Sequence, residues 1–140
     1  MSNDPIRVGI AGLGRSGWNI HGRMFSELSE RYEVVAVTDE LATRCDEAAA
    51  EFGCSIYEDF ETMLEDDRVE LTVVALPSHL HLGATLAALA AGKHVVCEKP
   101  MAPSLAEADA MVDAAEASEP VLTIFQNRRY APDFLQVRQV

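Results

Sequence analysis

Two short runs hold the residues best suited to chemistry. Gly12-Leu13-Gly14-Arg15-Ser16-Gly17 fits the pattern G-x-G-x-x-G. Each glycine in that pattern has a job: the first permits a tight turn, the second lets backbone approach a pyrophosphate, and the third lets a helix pack close to a strand. The pattern becomes informative between a buried strand and a helix. Here the apolar run Ile6 to Ala11 precedes it, and His21, Met24, Phe25 and Leu28 follow at helical spacing. The N-terminus of that helix would offer free N–H groups and partial positive charge to phosphates. Asp39 ends the next apolar run, 22 residues after Gly17. An acid at about that distance accepts hydrogen bonds from the adenosine ribose hydroxyls. Its charge repels a 2′-phosphate, so NAD is expected over NADP. Asp39 could also cap the following helix, and the two roles are compatible. Arg44 stands too far along that helix to act as a phosphate clamp.

The second run is Cys97-Glu98-Lys99-Pro100, at the end of another apolar run. Oxidising a secondary alcohol with NAD sends a hydride to the nicotinamide and a proton to a base. A lysine is a poor base in water, with a pKa near ~10.4. Partial burial and the positive charge of oxidised nicotinamide both favour its neutral form. A lysine just past the C-terminal end of a strand stands where doubly wound sheets bind ligands. On sequence physics alone, Lys99 reads as a surface lysine beside a loop proline.

Other candidates are weaker. His79 and His81 form an H-x-H pair at a helix start, where they point to different faces and share no metal. His21 lies on an apolar helical face and reads first as a satisfied core histidine, although it could reach the cleft. Trp18 and Tyr130 read as packing residues. Cys45, Cys54 and Cys97 are odd in number and form no C-x-x-C pair. Neither a disulfide framework nor a zinc site fits them. Cys45 lies on an apolar helical stripe and reads as a buried thiol.

These residues need a scaffold, and apolar runs alternate with helical patterns along the chain. Strands are expected at Ile6 to Ala11, Val34 to Thr38, Ser55 to Tyr57, Leu71 to Leu76, His94 to Cys97 and Val121 to Phe125. Helices are expected from Trp18 to about Arg31, from Glu40 to Phe52, from Asp59 to Glu65, from His79 to Ala91 with Ser78 as N-cap, and from a Ser104/Glu107 capping box to about Ala117. Such alternation predicts an α/β fold, a doubly wound parallel sheet of the Rossmann dinucleotide-binding type. Residues 1–126 read as that domain, and 127–140 as a crossover opening a truncated second domain.

The chain has 140 residues, enough for one domain, and a net charge of −12. Such a charge repels nucleic acid and anionic membranes. No apolar run reaches the ~18 residues of a membrane span. The polar N-terminus lacks a signal-peptide layout, so a cytoplasmic location is expected.

Several motifs now coincide. Gly92-Lys93-His94-Val95 followed by Glu98-Lys99-Pro100, Leu76-Pro77-Ser78-His79-Leu80-His81, and Asn127-Arg128-Arg129-Tyr130 accompany the glycine loop in order. Together they resemble the Gfo/Idh/MocA oxidoreductases over essentially the whole chain. Leu76 and Ser78 depart from that family's T-P-N-x-x-H. The resemblance implies that the loop residues Gly12, Leu13, Gly14, Arg15, Ser16 and Gly17 hold the pyrophosphate and that Asp39 holds the adenosine ribose. It implies that Pro77 and His81 line the cofactor cleft, that Glu98 contacts the nicotinamide ribose, and that Lys99 is the catalytic lysine. Pro100 is implied to follow a cis bond that aims Lys99 into the cleft.

The resemblance also implies a sugar, cyclitol or similar polyol substrate and a homo-oligomeric full-length protein, and the spacing of histidines and cysteines leads to no metal being expected. A second α/β domain would supply partners for Lys99, so this chain alone is expected to lack turnover. Two competitors remain. A NAD-sensing regulatory protein on the same fold would need no base, which Glu98-Lys99-Pro100 supplies. A reductase of a cyclic imine or tetrapyrrole would not need that segment.

Overall fold

The apolar runs that alternate with helical patterns become strands of one sheet in the computed structural model, which describes residues 4–139. The strands are β1 (Ile6–Ala11), β2 (Tyr32–Thr38), β3 (Ser55–Ile56), β4 (Leu71–Val74), β5 (His94–Cys97) and β6 (Leu122–Ile124). All pair in parallel, in the order β3-β2-β1-β4-β5-β6. From β1 the chain winds outward to β3, and from β4 it winds outward the other way to β6. The loops leaving β1 and β4 therefore part from each other, which opens a crevice at the C-terminal edge. The doubly wound α/β sheet is present as expected.

Helices cover both faces, as a parallel sheet requires. A π-helical turn over Gly17–Gly22 runs into α1 (Arg23–Glu27). The others are α2 (Ala42–Phe52), α3 (Phe60–Leu64), α4 (His81–Ala90), α5 (Leu105–Glu116) and α6 (Pro132–Val137). Val8, Ile10 and Val37 pack with Phe25, Cys45 and Ala48 on one side of the sheet. Val35, Val74 and Val95 pack with Met63, Ala88 and Met111 on the other. One irregularity shapes this division. Val8 pairs with Val34 but Gly9 pairs with Ala36, so Val35 is an extra residue in β2. Such a bulge breaks strict alternation, and Val35 and Ala36 both join the second layer.

Four local expectations are corrected. The first helix stops at Glu27, not near Arg31, because Leu28 leaves helical geometry at φ −108° and ψ 35°. α2 starts at Ala42 rather than Glu40, since the Asp39 carboxylate accepts the Leu41 N–H at 2.9 Å and holds residues 39–41 as a turn. Ser78 is not an N-cap. It opens a 3-10 turn, Ser78–Leu80, in which the Leu80 N–H donates to the Pro77 carbonyl at 2.9 Å, and α4 begins only at His81. Tyr130 does not pack: it is 80% exposed. Trp18 does pack, with its ring 5.5 Å from that of Phe52. Ser104 caps α5 as expected, accepting the Glu107 N–H. Among the described residues, no helix is long and apolar enough to cross a membrane.

Candidate functional site

The sheet ladder continues past the strand tips and fixes where the loops leave. The Gly12 N–H donates to the Thr38 carbonyl, the Ala75 N–H to Ala11, and the Glu98 N–H to Val74, at 2.9, 2.9 and 3.0 Å. Gly12, Asp39, Ala75 and Glu98 thus start from one edge.

The glycine loop is tightly built at two positions and open at the third. Gly12 has φ +88°, and a Cβ there would lie 2.5 Å from the Ala75 carbonyl oxygen. A Cβ on Gly17 would lie 1.8 Å from the Gly12 oxygen. A Cβ on Gly14 would meet nothing within 4 Å. Gly12 and Gly17 therefore serve the turn and the helix contact, while Gly14 keeps clear the space beside the loop. This division fits a pyrophosphate approaching the backbone at Gly14. The Leu13 side chain is buried in the core, so only its backbone is available to the cleft. Arg15 is exposed and Ser16 half-buried, and the Ser16 side chain caps nothing.

Asp39 is tied to that loop. Its Oδ2 accepts the Leu13 N–H at 2.6 Å and its Oδ1 accepts the Leu41 N–H. Arg44 corrects the sequence expectation. Because α2 starts late, Arg44 sits in its first turn, and its Nη1 lies 3.4 and 3.5 Å from the two Asp39 oxygens. Both side chains line a cavity of about 280 Å³, together with Gly12, Gly14, Leu76 and Pro77.

The loops after β4 and β5 are joined by His81, which is buried. Its Nε2 lies 2.8 Å from the Leu76 oxygen and its Nδ1 2.9 Å from the Pro100 oxygen. Both partners are carbonyls, so the ring's N–H donates to one of them and its other nitrogen packs against the second. His81 is thus a clamp behind the cleft rather than a side chain lining it. Exposed His79 turns elsewhere, as its position predicts. Replacing His81 with leucine removes the ring that bridges the two loops. The expected destabilisation is about 1–2 kcal/mol, the cost of a lost buried hydrogen bond. Urea denaturation at constant m value measures it, and a loss below about 0.5 kcal/mol would contradict the clamp.

Glu98 and Lys99 diverge. The Lys99–Pro100 bond is cis, as expected. Lys99 is exposed, so the expected partial burial is absent: it stands at the open rim beyond β5. Glu98 turns inward and is 5% exposed. Its Oε1 lies 3.0 Å from His21 Nε2, and its Oε2 accepts the Lys99 N–H at 3.2 Å. Burial holds the His21 imidazole below its ordinary pKa, against the opposing pull of Glu98. The pair is therefore a hydrogen bond from a neutral ring rather than an ion pair. Two cysteines remain inert: burial raises the Cys45 thiol and pushes that of Cys97 up to about 11. Sequence reasoning placed His21 in the core but missed its partner. The signal was a histidine four residues after the last loop glycine.

A larger cavity, about 710 Å³, lies apart from the glycine loop. It runs beside β4 to β6 under α1 and is mostly apolar, with His21, Phe25, Val96 and Phe125 among its walls. Gly12, Gly14 and Asp39 line the smaller one.

Comparison with known proteins agrees with this geometry. Residues 6–126 match the Gfo/Idh/MocA oxidoreductase family, NAD-binding Rossmann fold. The chain is 35% identical over 138 residues to scyllo-inositol 2-dehydrogenase (NADP(+)) IolW of Bacillus subtilis, covering 98% of this chain and 37% of that protein. It is 33% identical over 140 residues to D-glucoside 3-dehydrogenase of Escherichia coli, covering 99% of this chain and 40% of that one. Among solved structures it superposes on KijD10, a 3-ketoreductase from Actinomadura kijaniata in complex with NADP and TDP-benzene. That match has a TM-score of 0.88 and 30% identity, and covers 96% of this chain and 41% of the other. The chain spans about two fifths of the length of these relatives. It belongs to the Gfo/Idh/MocA oxidoreductase family, as that family's Rossmann nucleotide-binding domain.

Proposed function

We propose that this chain binds NAD across the crevice between β1 and β4, within a dehydrogenase acting on a hydroxyl of a sugar, cyclitol or similar polyol. The observation that carries the reading is the loop itself, open at Gly14 and tied through Leu13 to Asp39. Bound NAD supplies the hydride acceptor. The chain's own residues do the rest. Backbone N–H groups after Gly14 face the pyrophosphate, and Asp39 accepts from the adenosine ribose. Glu98 accepts from the nicotinamide-side ribose, and Lys99 takes the proton of the substrate hydroxyl. The relatives named above are an inositol dehydrogenase, a glucoside dehydrogenase and a 3-ketoreductase by their names, and the first two support a polyol substrate.

NAD is the preferred form because a 2′-phosphate would enter beside the Asp39 carboxylate. The competing reading is NADP, and Arg44 favours it: turned away from Asp39, its guanidinium could meet the phosphate. Calorimetric titration with NADH and NADPH decides between them. NADH is expected to bind at least about tenfold tighter, or about 1.4 kcal/mol. Asp39→Asn should narrow that gap, since it removes the charge and leaves an acceptor for Leu13. Equal or tighter NADPH binding by the unaltered chain would overturn the NAD preference.

A further inference from the structure

His21 belongs to no motif used so far, yet it is wholly buried and bonded to a residue proposed to touch the cofactor. Three elements fix its ring. The π-helical turn Gly17–Gly22 carries it, directly after the glycine loop. Such widened turns are uncommon and cluster at functional sites. The turn seats against α2 through Gly22, where a Cβ would lie 2.8 Å from the Phe52 ring. On its other side the His21 ring lies 4.5 Å from that of Phe125, at the end of β6.

The bonding pattern has a direction. Glu98 Oε1 accepts, so His21 Nε2 carries the proton. His21 Nδ1 is buried and has no partner among the described residues. A neutral ring leaves only a lone pair there, whereas a charged ring would leave a buried N–H with no acceptor, at greater cost. The neutral ring is therefore a fixed, one-way donor. It uses one lone pair of Glu98, and the Lys99 N–H uses another. A carboxylate offers about four acceptor sites, so two remain for hydroxyl groups.

We propose that His21 is a positioning residue: it holds the Glu98 carboxylate in the orientation that accepts the hydroxyls of the nicotinamide-side ribose. The proposal rests on the dinucleotide-binding function argued above. It couples the two halves of the cofactor site, because one helical turn starts at the pyrophosphate loop and ends on the residue that orients the nicotinamide half.

Three ligands separate the roles. ADP lacks the nicotinamide-side ribose, ADP-ribose has it, and NADH has the ribose and the ring. Calorimetry compares their binding to the unaltered chain and to His21→Leu, His21→Asn and His21→Gln. Glutamine places its amide nitrogen near the position of Nε2, and asparagine near that of Nδ1. His21→Leu and His21→Asn should weaken ADP-ribose and NADH about tenfold and leave ADP unchanged. His21→Gln should restore most of the loss. If the leucine variant does not fold, the asparagine and glutamine pair makes the same comparison. Equal weakening of ADP would overturn positioning in favour of a structural role, and unchanged ADP-ribose affinity would also overturn it. An unaltered chain that binds none of the three would overturn the dinucleotide function, and this proposal with it.

Discussion

Gly17→Ala and Gly14→Ala are expected to fail in opposite ways. At Gly17 the new methyl would lie 1.8 Å from the backbone oxygen of Gly12 and 2.9 Å from its carbonyl carbon. Neither atom can swing aside, and Gly12 is itself held against Ala75 at positive φ. The loop or the helix must move, and α1 lies over the core built on Val8, Ile10 and Phe25. A loss of about 4 kcal/mol or more is expected, in the exceptional class for single substitutions. That approaches the whole stability of many domains. Gly14→Ala meets no protein atom within 4 Å. Its unfolding free energy should stay within about 0.5 kcal/mol of the unaltered chain's, while NADH binding is lost. Urea denaturation and NADH titration read the two effects separately. A Gly14→Ala chain that binds NADH normally would place the pyrophosphate elsewhere.

The second large effect concerns Lys99. In a protein that joins this chain to the further length its relatives possess, Lys99→Met should lower kcat about 10²- to 10⁴-fold, the usual range for a lost general base. NADH affinity should stay nearly unchanged, since Lys99 is exposed at the rim and its backbone N–H, which methionine retains, is the part bonded to Glu98. Steady-state rates with a polyol substrate and a separate binding titration check both halves. A loss under tenfold would remove Lys99 from the chemistry. Lys99 is exposed, so burial of its amine in a reacting complex would have to come from the cofactor and from the further length its relatives possess.

The order of strands was legible because each apolar run is short and separated from the next by a helical period. β5 appears with the bounds its residues suggest, and β1 likewise. The placement of the glycine loop and Asp39 at one sheet edge was legible because both follow directly on apolar strands. What escaped was finer geometry. The π-helical turn has nearly the same apolar spacing as an ordinary helix, so His21 read as one more face residue. The bulge at Val35 is invisible in a run where every neighbour is apolar. Arg44 was misplaced because Asp39 bonds Leu41 N–H and delays α2 by two residues, which brings an arginine into the first turn. His81 was expected in the cleft. Only the three-dimensional approach of two carbonyls from different loops reveals it as their clamp.

The bond from Leu13 N–H to Asp39 also bears on how this protein could change its cofactor, by design or by descent. Position 39 is an obvious place to switch toward a phosphorylated ribose, since removing a negative charge there relieves repulsion. The same carboxylate braces the loop proposed to hold the pyrophosphate, so an apolar replacement is expected to loosen binding of either cofactor. Side chains that discard the charge but keep an acceptor oxygen within reach of Leu13, such as asparagine or serine, leave a passable route. Arg44 already stands beside that route, needing only a rotation rather than a new mutation.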